Sequence, residues 1–155
     1  EFFRQYQIGE FEVTPVKGEH PAHFEKNAAG YLIRHKDGRK LLYALDTGYY
    51  SEETLHFLKG CKLDQLILEC TFGSAQRGDQ PYSHLDLHSC IRLCDRLFAQ
   101  GTLKEKTQVY LTHINQEQEY THQDLEELCR REREEKPYRL YVAYDGLRLE
   151  SREEE

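Results

Sequence analysis

Lys40-Leu41-Leu42-Tyr43-Ala44-Leu45-Asp46-Thr47-Gly48 is a run of mostly apolar, strand-favouring residues that meets a carboxylate, then a small residue and a glycine. The pattern places Asp46 at the carboxyl end of a buried strand, with Gly48 free to turn the backbone away. The arrangement recurs further on. Leu66-Ile67-Leu68 leads to Glu69-Cys70-Thr71, Val109-Tyr110-Leu111-Thr112 leads to His113-Ile114-Asn115, and Tyr141-Val142-Ala143-Tyr144 leads to Asp145-Gly146. A sheet whose strands end on Asp, Glu and His gathers acid/base and ligand-type side chains along one edge, where open α/β folds keep their sites. Asp46 stands at the centre of that edge.

Upstream, Phe11 to Val16 alternates apolar and polar and predicts a strand, with Pro15 marking an edge or an end. His20, in Gly18-Glu19-His20-Pro21, is then expected in a loop. Gly30 to Arg34 and Lys40 to Asp46 read as strands joined by a hairpin through Asp37-Gly38. Downstream, Ser51 is positioned as an N-cap, with Glu52 and Glu53 in the first turn and Gly60 as the stop. Gln65 to Cys70 predicts a strand, and a loop from Thr71 to Ser83 follows. Leu87, Cys90, Ile91, Cys94, Leu97 and Phe98 recur at helical spacing up to Gly101. Gln108 to Thr112 is a further strand. Thr121 caps a helix with an inner face of Leu125, Leu128 and Cys129, and a last hairpin is expected over Tyr138 to Tyr144 and Leu147 to Glu150, ahead of a frayed tail at 151–155. The order predicts an α/β fold, a mixed sheet with helices on one face.

The 155 residues suit one domain. They contain no Met, so Glu1 is not a genetic start and the chain is expected to be a fragment or a processed product. No apolar run approaches the roughly 20 residues of a membrane span, and no secretory signal is visible. With 28 acidic and 21 basic residues the formal charge is -7, which disfavours broad nucleic-acid binding and favours a small substrate. Five Cys without a CxxC pair argue against a disulfide framework or a thiolate zinc site and predict a cytoplasmic, reducing location. Cys90 and Cys94, on one helix face, read as core thiols.

The segments Phe11-Glu12-Val13-Thr14-Pro15 leading to His20, Gly30-Tyr31-Leu32, Leu45-Asp46-Thr47, His84-Leu85-Asp86-Leu87, Leu111-Thr112-His113-Ile114 and Asp145-Gly146 give the chain a family likeness. It resembles the carboxyl-terminal half of a metallo-β-lactamase-fold hydrolase (αββα), and most of all the PhnP-like phosphodiesterase branch. The likeness spans nearly the whole chain in the family's order. It implies that His20 ligates a first metal ion, that Asp46 bridges two ions and that His113 ligates the second. It implies also that His84 contacts the phosphodiester and protonates the leaving oxygen. His23 competes with His20 for its role, and His88 with His84. The family's His-x-His-x-Asp-His run is absent from these residues and belongs to the preceding half of the fold.

The resemblance thus implies a phosphodiesterase with two divalent ions, zinc or manganese, that present hydroxide to a small, cyclic phosphodiester. A dinuclear centre needs more protein ligands than three, so the missing N-terminal half is the expected partner and the chain alone is expected to be inactive. Two other readings stay open: a thioester or ester hydrolase of the same fold, and a non-catalytic interaction module. A homo-oligomer is a further expectation, and a stable one without a metal signal favours the interaction module. Glu69 is read as orienting a ligand histidine or as an ordinary strand-end carboxylate, and Tyr49 and Tyr50 as pocket or core residues.

Overall fold

The computed structural model describes residues 1–22, 26–115 and 120–149. Seven strands form one sheet in the order of the sequence: β1 (Tyr6–Ile8), β2 (Phe11–Ala22), β3 (Lys26–His35), β4 (Lys40–Ala44), β5 (Leu63–Glu69), β6 (Leu103–Thr112) and β7 (Arg139–Val142). The first four pair antiparallel, and β4 to β7 pair parallel. Each parallel step needs a crossover. These are α1 (Glu52–Leu58), α2 (Leu87–Ala99) and α3 (His122–Glu135). The expected mixed α/β sheet is what the chain builds.

Strand alternation divides the sheet into two unlike faces. Leu42, Ala44, Leu66, Leu68, Val109, Leu111, Leu140 and Val142 point one way and form a single core with Leu55 and Leu58 of α1, Cys90, Leu93, Cys94 and Leu97 of α2, and Leu125 and Cys129 of α3. Consecutive crossovers of one hand lay successive helices on the same side. The opposite face carries a row, one residue per strand, of Tyr31, Tyr43, Ile67, Tyr110 and Tyr141, in direct register across β3 to β7. Tyr6, Ile8 and Phe11 continue that face toward β1, and Tyr6, Ile8, Phe11, Tyr31 and Tyr43 are all exposed. No helix covers this side among the described residues.

Local signals worked where they had chemistry behind them. Thr121 and Asp124 form a reciprocal capping box at the start of α3. Asp86 and Ser89 do the same at α2, whose helical apolar pattern is visible in the sequence although its cap is less so. Ser51 precedes α1, but its side chain makes no cap hydrogen bond.

Three expectations are corrected. His20 lies within β2, not in a loop: β2 runs on to Ala22 through a register shift between Lys17 and Pro21. Pro15 is inside that strand. Its carbonyl accepts from Phe3 N–H at 2.8 Å, so the missing N–H faces the side that the short β1 does not reach, and the ladder to β3 is intact. The predicted last hairpin does not form. β7 ends at Val142 and pairs parallel with β6, residues 147–149 hold no strand, and Glu150 lies outside the described residues along with the tail at 151–155.

Candidate metal centre

β4, β5 and β6 run parallel, and β2 lies two antiparallel steps from β4, so all four strands point the same way. Their carboxyl ends therefore meet at one edge. Asp46 sits two residues past β4 with φ +47°, and His113 follows β6 directly with φ +57°. Asp and His tolerate this left-handed backbone better than most residues, and at a functional site such conformers turn a side chain out of the strand direction.

Two glycines allow the neighbours to close on Asp46. A Cβ on Gly18 would lie 3.2 Å from the Asp46 carbonyl oxygen and from Thr47 Cα, and Glu19 N–H donates to the Thr47 carbonyl at 2.6 Å. The irregular end of β2, and His20 with it, is thereby held against the Asp46 turn. On the other side a Cβ on Gly48 would come within 2.8 Å of Ser83 N, so the loop that delivers His84 packs on the same turn.

The four predicted side chains converge. The His20 and His84 rings are 4.5 Å apart, and His84 and His113 stack at 5.8 Å with 25° between planes. His113 Nε2 is 3.5 Å from Asp46 Oδ1, and His84 Nδ1 is 3.8 Å from the same oxygen. One ligand atom each from His20, Asp46 and His84 lie within 4.8 Å of one another. Asp46 and His113 are partly open to solvent, 45% and 40% exposed, whereas His84 is 20% exposed. A depression of about 500 Å³ lined by His20, Pro21, Ala22, Ala28 and Asp46 leads to them. Imidazole and carboxylate donors of this kind suit zinc, manganese or iron, so the donor set fits a divalent cation.

His88 stands apart, its Nε2 3.4 Å from the Asp79 carboxylate on the exposed surface. His84, not His88, belongs to the cluster. His23 lies outside the described residues.

Beneath the cluster is Glu69, with its side chain fully buried. Its Oε1 accepts from Thr47 N–H at 2.8 Å and Gly48 N–H at 3.1 Å. Its Oε2 accepts from the Thr71 hydroxyl at 2.5 Å, from His84 Nδ1 at 3.0 Å and from Leu85 N–H at 3.2 Å. Glu69, His84 and His113 are also close enough to hold an ion together. That grouping is the poorer ligand set, because both Glu69 oxygens are already occupied by five donors whose loss would leave buried amides unpaired. Glu69 ties the Asp46 turn to the His84 loop, the orienting role rather than the ordinary one. Thr71, the hydroxyl between Glu69 and both histidines, was not singled out by sequence reasoning. The usable signal was its place two residues beyond a strand-end carboxylate. Tyr49 and Tyr50 belong to the core, and burial pushes the Tyr50 hydroxyl up to about 12.

The family described as Beta-lactamase superfamily domain matches residues 3–114. No curated protein sequence matches the chain. Among solved structures, the chain is similar to the metallo-beta-lactamase fold protein YhfI from Bacillus subtilis, with TM-score 0.66 and 19% identity over 95% of this chain and 51% of that one. Igni18, a metallo hydrolase from Ignicoccus hospitalis, gives 0.64 and 12% identity over 95% and 57%. Unliganded yeast PDE1 gives 0.60 and 17% over 92% and 46%. The chain thus spans about half the length of the structures it matches, and at these identities the likeness establishes the fold. With the match covering most of its length, and with ligand-type side chains gathered at the carboxyl edge of the sheet, the chain belongs to the beta-lactamase superfamily.

Proposed function

We propose that the chain contributes one half of the metal grip of a hydrolase acting on a small phosphodiester, in the PhnP-like branch. The observation that carries this is the convergence of His20, Asp46, His84 and His113, drawn from four separate segments, with Asp46 Oδ1 within 3.8 Å of two of the imidazoles. Two divalent ions, zinc or manganese, would supply Lewis-acid activation of water and charge neutralisation at phosphorus when bound. His20 and Asp46 would hold one, with Asp46 and His113 on the other. Asp46, on its turned-out backbone, is the group able to face both.

His84 is anchored at Nδ1 by Glu69; it would steady the phosphodiester and, when the ring carries a second proton on Nε2, hand that proton to the departing oxygen. The burial of Glu69 keeps this pair rigid and keeps water off its rear side. Three ligands do not complete a dinuclear centre. The uncovered aromatic face of the sheet supports the view that a further layer of structure, carrying the remaining ligands, packs there.

The test joins the chain to the preceding half of a homologous fold and measures turnover of a chromogenic phosphodiester and of a thioester with added zinc or manganese. Metal-dependent cleavage of the phosphodiester, reduced at least about 100-fold by Asp46→Asn, is expected. Preferred thioester cleavage, or full activity in Asp46→Asn, would overturn the reading.

A further inference from the structure

The buried floor of the site, with His84 and His113 taken as the site groups proposed above, offers few protons to share among its donors and acceptors. We propose that Glu69, directly and through the Thr71 hydroxyl, fixes the tautomers of both histidines, so that each keeps its proton on Nδ1 and leaves Nε2 bare, with His113 turning that bare nitrogen toward Asp46.

Three of the five contacts to Glu69 come from backbone N–H groups of Thr47, Gly48 and Leu85, which can only donate. Glu69 is therefore the acceptor in this network. His84 Nδ1, at 3.0 Å from Oε2, must bring the proton to that contact. Thr71 has a single hydroxyl proton, and at 2.5 Å from Oε2 that proton is directed to Glu69. Toward His113 Nδ1, 3.0 Å away, the Thr71 oxygen can then only accept. His113 must donate from Nδ1 as well. One buried carboxylate thus sets two imidazoles, the second through a hydroxyl that relays its polarity.

The consequence appears on the other side of His113. Its Nε2 lies 3.5 Å from Asp46 Oδ1, and with the proton fixed on Nδ1 these two atoms are both electron-pair donors. Two such atoms facing each other at that distance are resolved by a cation between or beside them, or by a second proton on the ring. The floor therefore prepares the site for a cation before one arrives, and Glu69 and Thr71 act as positioning residues, not as ligands. The orientation of ligating histidines by a partner on the second ring nitrogen is a general device. What is specific here is that both histidines draw on the same carboxylate.

The experiment records long-range ¹H–¹⁵N correlations of the histidine rings in metal-free protein at pH 8.5, above the usual imidazole range, and zinc affinity by competition with a chromogenic chelator. Expected are Nδ1–H forms for both His84 and His113. Thr71→Val should release His113 to the other tautomer while His84 keeps its own, and Thr71→Ser should restore it. Zinc affinity should fall about 10-fold in Thr71→Val. Glu69→Gln should release both rings, and because it also removes the anchor of buried amides, the threonine pair keeps the test decisive if that variant unfolds. A proton on Nε2 of His113 in the unaltered protein, or an unmoved tautomer in Thr71→Val, would overturn the proposal. Tautomers as stated in a protein that binds no zinc would instead uphold it and count against the functional reading.

Discussion

The two faces of the sheet are made from alternate residues of the same strands, yet they are chemically unlike. The face beneath the helices is almost all leucine, valine and cysteine, and it is sealed. The other is tyrosine and isoleucine, and much of it is open to water. Aliphatic side chains with no polar end require full burial, whereas a tyrosine ring can lie on a partly wet surface with its hydroxyl in solvent. One side of this sheet is thus a finished interior, and the other is an aromatic surface left open among the described residues. The candidate ligand groups sit at the carboxyl edge of the sheet.

The largest effect should come from breaking the sealed face. Leu66→Ala, fully buried between β4 and β6, should lower unfolding free energy by about 2 to 5 kcal/mol in urea titrations. Loss below about 1 kcal/mol would mean that the helical layer does not pack as described. The same layer should show itself at high pH. Tyr50 is buried and its hydroxyl is raised from 10.0 to about 12. Its contribution is therefore fully present below pH 10 and is lost as pH climbs through about 12, because the unfolded chain ionises first. Tyr50→Phe should flatten that alkaline fall in melting temperature.

On the open face, Tyr31→Ser with Tyr43→Ser should change stability by less than about 1 kcal/mol while clearly reducing the fluorescence of a dye that binds exposed apolar surface. An equal destabilisation on the two faces would erase the contrast. The smallest effect concerns thiols. Burial raises the Cys90, Cys94 and Cys129 thiols, and Cys61 is only half-buried. Native protein should therefore react with a disulfide reagent at Cys61 first, the others following only on unfolding.

The alternation around Lys40 to Asp46 and the helical spacing from Leu87 to Phe98 made the layer order legible, because both patterns follow from burial on one side. The edge residues Asp46 and His113 were legible for the same reason, being polar groups placed where an apolar run stops. The length of β2 was not. Gly18 and Pro21 read as breakers, but the contacts of Gly18 with the Asp46 turn and the pairing of Pro21 with Asn27 override local preference. The final hairpin failed because Asp145-Gly146 marks a turn without requiring a strand on its far side. Thr71 was hidden because its importance lies in three partners at sequence distances of 2, 13 and 42, which no local pattern records.

The segment between β5 and α2 is fastened at its two ends. Phe72 N–H donates to the Leu85 carbonyl and Leu87 N–H to the Gly73 carbonyl, at 3.0 and 2.7 Å, and Arg77 N–H reaches the Asp86 carboxylate at 2.6 Å. Residues 78–80, beyond that last bond, form its exposed crown. Lengthening or shortening that crown would add only a slowly growing closure entropy, and its clasped base would keep His84 where it is. Descendants of this chain can therefore vary that tip without rebuilding the floor under His84.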